Sequence, residues 1–163
     1  MKREILKRLR DSNDERSRRE PMTIAAILGN KGREVISITA QQSVGDAVAV
    51  LATRRVGAVP VMEGNRVVGI FSERDVIHAI HAYGADAMAR SVGDTMTAPP
   101  ITVTPGEAVI GALSLMTRRR IRHLPVVEGD RVIGFVSIGD LVKYRIDRIE
   151  ADAEAMRSYI QSA

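Results

Sequence analysis

The residues with the clearest chemical potential come as a matched pair, Gly69-Ile70-Phe71-Ser72-Glu73-Arg74-Asp75 and Gly134-Phe135-Val136-Ser137-Ile138-Gly139-Asp140. Each places a serine three residues ahead of an aspartate, where a β-rich run gives way to a helical one. One reading of that spacing is a capping box, in which hydroxyl and carboxylate satisfy the first unpaired N–H groups of a helix. Another is a ligand site, because a helix N-terminus favours anions and a carboxylate there can accept two hydrogen bonds from a ribose diol. Dinucleotide-binding folds divide the labour in that way. The glycine ahead of each serine would let a ligand approach the strand backbone. On the residues alone both readings stand. His78 and His81 follow Asp75 at steps of three, a spacing that could hold a metal, but Asp75 already has a better use and we assign no metal. The chain has no G-x-S-x-G, H-E-x-x-H or Walker loop, so we assign no catalytic residues and expect no enzyme.

The elements that must hold these residues repeat as well. Residues 39–77 lie over 104–142 without a gap, identical at roughly a third of positions. In each copy a helical apolar pattern comes first (Val44, Ala47, Val48, Leu51; Val109, Ala112, Leu113, Met116) and ends in basic residues, as a helix C-terminus prefers. Two strands follow, VGAVPVM and RVVGIF in one copy, IRHLPVV and RVIGFV in the other, joined at Glu63-Gly64-Asn65 and Glu128-Gly129-Asp130. A last helix begins at Ser72 or Ser137, and short leading strands are expected at 35–38 and 101–103. A unit of about 60 residues cannot hide both faces of its sheet, so the two should pack on each other. The expected fold is α+β, with two strand-helix-strand-strand-helix repeats related by a pseudo-twofold axis.

The doubled hxxxPV ahead of each hairpin and the doubled Gly-h-h-Ser-x-x-Asp after it resemble a tandem pair of cystathionine β-synthase (CBS) domains, a Bateman module, from about Met22 to Arg145. The resemblance divides the chain into an arm (1–21), two repeats (22–84 and 85–145) and a C-terminal helix extension (146–163). It implies a regulatory use, as in the γ subunit of AMP-activated protein kinase and the insert of inosine monophosphate dehydrogenase. The ligand implied is an adenine nucleotide: AMP, ADP, ATP or NAD(H). It also implies crossed pockets. Ser72 and Asp75 would face Ile101, Thr102, Ile121, Arg122 and His123 of the second repeat. Ser137 and Asp140 would face Ile36, Ser37, Val56, Gly57 and Ala58 of the first. Aliphatic side chains would clamp the base. Arg122 and His123 stand where the first repeat has Gly57 and Ala58, so they offer cations to a phosphate beside Asp75. Arg74 would reach the phosphate beside Asp140. The alternative for Arg74, Arg122 and His123 is plain solvated surface.

Composition narrows the rest. The chain has 163 residues, 45% hydrophobic and 27% charged, without cysteine; disulfides and thiolate sites are excluded and a reducing compartment fits. No apolar run approaches the ~18–20 residues of a membrane span and the start lacks a signal-peptide core, so we expect a cytoplasmic protein. The net charge of +4 sits mostly in residues 1–20, which hold eight bases against five acids. Two Phe, three Tyr and no Trp give few platforms for stacking single-stranded bases. A nucleic-acid binder is therefore an alternative that rests on the arm alone, and a solvated tail is its competitor. From Ile138 the chain reads as one helix whose Val142, Ile146, Ile149, Ala153, Met156 and Ile160 step 4-3-4-3-4, a heptad seam. It should join two copies in a homodimer or lie on its own module. A dimeric scaffold with vestigial pockets is the remaining alternative.

Overall fold

Proline and glycine placement decides the two hairpins. The computed structural model describes residues 22–162, so the arm and both readings of it lie outside the described residues. β1 (Ala58–Glu63) turns through Gly64-Asn65 into β2 (Arg66–Ser72), and β3 (His123–Glu128) turns through Gly129-Asp130 into β4 (Arg131–Ser137). Gly64 and Gly129 take φ of 61° and 60°, which a two-residue turn with glycine in its first central position requires. Ala58 faces Ser72 as His123 faces Ser137, and both ladders slip at the same place, after Val61 and after Val126. The leading strands expected at 35–38 and 101–103 shrink to single bridges, Ile38 with Val61 and Val103 with Val126. Ile38 N–H donates to Pro60 O (3.2 Å) and Val103 N–H to Pro125 O (3.0 Å). A proline has no N–H to return one residue pair further along, so the ladder stops there.

Among the described residues six helices surround the hairpins: α1 (Ile24–Lys31), α2 (Val44–Arg54), α3 (Glu73–Tyr83), α4 (Val92–Thr95), α5 (Val109–Arg119) and α6 (Ile138–Ser162), with a 3-10 segment at Gly84–Ala89. Two cores form, and each takes a helix from the other's stretch of chain. The first joins Val44, Ala47, Leu51, Val59, Val61 and Phe71 to Val92 of α4. The second joins Val109, Met116, Leu124, Val126, Val136 and Leu141 to Ile24, Ile27 and Leu28 of α1. The repeats are thus interlocked as one α+β pair.

The glycines ahead of the serines serve this exchange, which corrects their expected role toward a ligand. A Cβ on Gly134 would lie 2.5 Å from Leu28 Cδ2, and one on Gly69 2.5 Å from Met96 Sδ and 3.1 Å from Thr97 O. The chain's own residues occupy the space. α6 is anchored by buried Leu141 and by Tyr144, but its seam does not fold back: Val142, Ile146, Ile149, Met156 and Ile160 are 41–67% exposed.

The exchange is testable by a double-mutant cycle. Leu28→Ala should destabilise the fold by about 3 kcal/mol and Gly134→Ala by about 1–3 kcal/mol. Combined, they should cost less than their sum in urea unfolding, because the new methyl enters the space the leucine leaves.

Candidate functional site

Asp75 sits in the first turn of α3 and is the one charged side chain buried among the described residues, at 5% exposure. Its Oδ2 accepts from the Ser72 N–H and the Ser72 hydroxyl, both at 2.7 Å, and its Oδ1 from the Thr97 hydroxyl at 2.8 Å. A carboxylate takes about four hydrogen bonds, so the chain leaves one acceptor position unused, on Oδ1. The capping and ligand readings are therefore compatible here: Ser72 and Asp75 brace the helix start and still present an acceptor.

Asp75 lines a cavity of about 330 Å³. One wall is Gly57, Ala58, Ile70 and Ser72 of the first repeat; another is Pro99, Pro100 and Ile101; a third is Ile121, Arg122 and His123 at the start of β3. Arg74, Arg119 and Arg120 also border it, with Glu73, His78 and Thr97. The structure thus brings Ser72 and Asp75 together with Ile101, Ile121, Arg122 and His123 as the crossed arrangement requires. Thr102 is not among the lining residues.

Three expected placements change. Gly57 and Ala58, expected beside Asp140, line the Asp75 cavity. Arg74 also belongs to this cavity: its guanidinium donates to Arg120 O at 3.1 Å, strapping α3 of the first repeat to the end of α5 in the second. His123 is a poor cation. It stacks on Phe135 with centroids 5.7 Å apart. Burial first, then the charges of Arg122 and Lys31, holds its imidazole below the ordinary 6.5, against the opposing pull of Asp140 and Glu73. At neutral pH it offers a neutral donor and acceptor. Arg119 and Arg120 were legible in the sequence only as a basic helix end.

The second aspartate has a different neighbour. Asp140 Oδ2 accepts from the Ser137 N–H at 2.8 Å and from Lys31 Nζ at 2.6 Å. Lys31 also donates to Phe135 O at 3.0 Å. Burial works to raise the Asp140 carboxyl, but the Lys31 hydrogen bond and charge, with the Ser137 N–H, outweigh it and hold the carboxyl below its ordinary value. Of the residues expected to complete this pocket, Ile36 and Val56 are partly buried against the first core and Ser37 is exposed.

The sequence model of the CBS domain family matches residues 31–82 and 92–147. The CBS domain-containing protein CBSX3, mitochondrial, of Arabidopsis thaliana is 36% identical over 151 residues, 87% of this chain and 73% of that protein. The CBS-domain containing protein ATU1752 from Agrobacterium tumefaciens superposes with a TM-score of 0.73 at 35% identity, over 76% of this chain and 98% of that one. CBSX2, solved in complex with AMP, shares the fold with a TM-score of 0.64 at 24% identity, over 77% of this chain and 96% of that one.

His123 supplies a pH dependence. The unfolded chain takes up its proton near 6.5 and the folded chain only at lower pH, so the unfolded state binds more protons between the two values. Stability should be fully present above pH 6.5 and fall as the pH drops below it. In thermal unfolding from pH 7.5 to 5, His123→Gln should flatten that decline.

Proposed function

This chain belongs to the CBS-domain family, with two copies in tandem, and from that premise we propose that it is a regulatory module, not an enzyme, that binds an adenine nucleotide in the cavity at Asp75. The observation that carries the proposal is a buried carboxylate with one acceptor position to spare, beside a cavity ringed by four guanidiniums. A ribose hydroxyl donates to Asp75 Oδ1, and a second can do so if Thr97 rotates away. Ile101, Ile121, Pro99 and Pro100 offer apolar surface for a base, in a chain with few aromatics. Arg74, Arg119, Arg120 and Arg122 outnumber Glu73 at the rim and favour phosphate oxygens. The same guanidiniums disfavour an adenosyl ligand that has no phosphate and carries a net positive charge. AMP, ADP, ATP and NAD(H) fit this pattern, and the fold relative solved with AMP agrees with it.

Binding at this cavity bears on both repeats at once, because Arg74 comes from one and Arg119–His123 from the other. A ligand that holds them together biases their packing, which a regulated protein can read. We place this work in the cytoplasm: the chain has no cysteine, and no helix among the described residues is long and apolar enough to cross a membrane.

For the exposed seam of α6 we propose a second copy of this chain. In heptad terms Arg145 and Asp152 hold g positions and Glu150 and Arg157 hold e positions. Two parallel helices in register then set Arg145 against Glu150 and Asp152 against Arg157, opposite charges in both cases.

AMP at about 100 times its dissociation constant should stabilise the protein by about 2.7 kcal/mol, read as a melting shift. Arg122→Ala should weaken AMP about tenfold and leave adenosine unchanged; equal losses for both would remove Arg122 from the phosphate site. In sedimentation equilibrium the chain should run at twice its 17.8 kDa, and Ile149→Asp with Met156→Asp should return it to one copy.

A further inference from the structure

The two Ser-x-x-Asp turns are alike in sequence and unlike in what lies over them. α1 and α4 are counterparts in the exchange, since Leu28 lies against Gly134 as Met96 lies against Gly69. Counting three residues on from each anchor gives Lys31 in one repeat and Pro99 in the other. Pro99 carries no charge and no donor, and it lines the open cavity at Asp75. Lys31 carries an ammonium, which lies on Asp140 Oδ2 at 2.6 Å and on the Phe135 carbonyl at 3.0 Å. One of its three donors is spent on the carboxylate that a ribose would meet at this site and another on the Phe135 carbonyl beside it. Its backbone is held by a helix whose Ile24, Ile27 and Leu28 are buried, so the side chain is delivered to Asp140 by the fold. The side chains of Lys31 and Asp140 are 41% and 26% exposed, so the contact is reachable from solvent and can open.

We propose that Lys31 is a tethered competitor for the Asp140 site: the chain binds one adenine nucleotide, at Asp75, and its second site is latent until the Lys31 ammonium is withdrawn or neutralised. This rests on the nucleotide reading of the Asp75 cavity. It makes one module a single-site sensor even though both aspartates are present. Any modification that removes the Lys31 charge, such as acylation of its amine, would convert it to a two-site binder.

Equilibrium dialysis with AMP tests it, on wild type, Lys31→Met, Lys31→Arg and Lys31→Met combined with Asp140→Ala. Wild type and Lys31→Arg should bind one AMP per chain. Lys31→Met should bind two, with the second site tightened at least tenfold, and adding Asp140→Ala should return the count to one. Lys31→Gln serves as the neutral variant if Lys31→Met fails to fold. Two AMP per wild-type chain, or one per chain in both wild type and Lys31→Met, would overturn the competitor while leaving the nucleotide reading intact. Binding by neither protein would overturn that reading and this inference with it. AMP bound by Lys31→Met alone would support the competitor and overturn the assignment of Asp75.

Discussion

The approach of two exchanged helices to two glycines organises this molecule. Leu28 and Met96 come so close to Gly134 and Gly69 that a methyl group would collide, and that contact puts α1 and α4 onto cores they do not belong to by sequence. A hairpin with two helices is marginal at this size. Sharing helices completes both cores and binds the repeats to each other. The same contact fixes what stands over each aspartate: Thr97 and Pro99 follow from Met96 at one site, and Lys31 from Leu28 at the other.

Much of this was legible in the sequence. The spacing of 65 residues, the glycine turns and the Pro-Val pairs were enough for the hairpins and their matching registers. The Ser-x-x-Asp turns identified Asp75 and Asp140. The leading strands were overread because apolar residues at 35–38 and 101–103 carry strand propensity, while the missing N–H groups that cut the ladder belong to Pro60 and Pro125 on another strand. The glycines were misread because a glycine signals close approach without saying by what. Lys31 was invisible for a related reason. It lies outside the gapless repeat, and only tertiary packing carries it 109 residues along the chain to Asp140. Arg74 lines the Asp75 cavity and bonds Arg120 O across the repeats, a contact that the repeat pattern alone does not carry.

The two sites differ in what braces their aspartates. The braces around Asp75 use neutral donors, the Ser72 N–H and hydroxyl and the Thr97 hydroxyl, which leave its charge uncompensated by any cation in contact and its cavity open. Asp140 is neutralised by a cation from the chain itself. His123, half-buried at the Asp75 cavity and near enough to Asp140 to feel its charge, is held neutral. Under the proposed single occupancy, one bound nucleotide would map to one change in packing between the repeats.

The most direct measurement is a crystal structure of the protein grown with AMP. We expect density in the Asp75 cavity, with a ribose oxygen in hydrogen-bond contact with Asp75 Oδ1, a phosphate among Arg74, Arg119, Arg120 and Arg122, and Lys31 still on Asp140. An empty Asp75 cavity, or AMP seated on Asp140 with Lys31 displaced, would contradict it.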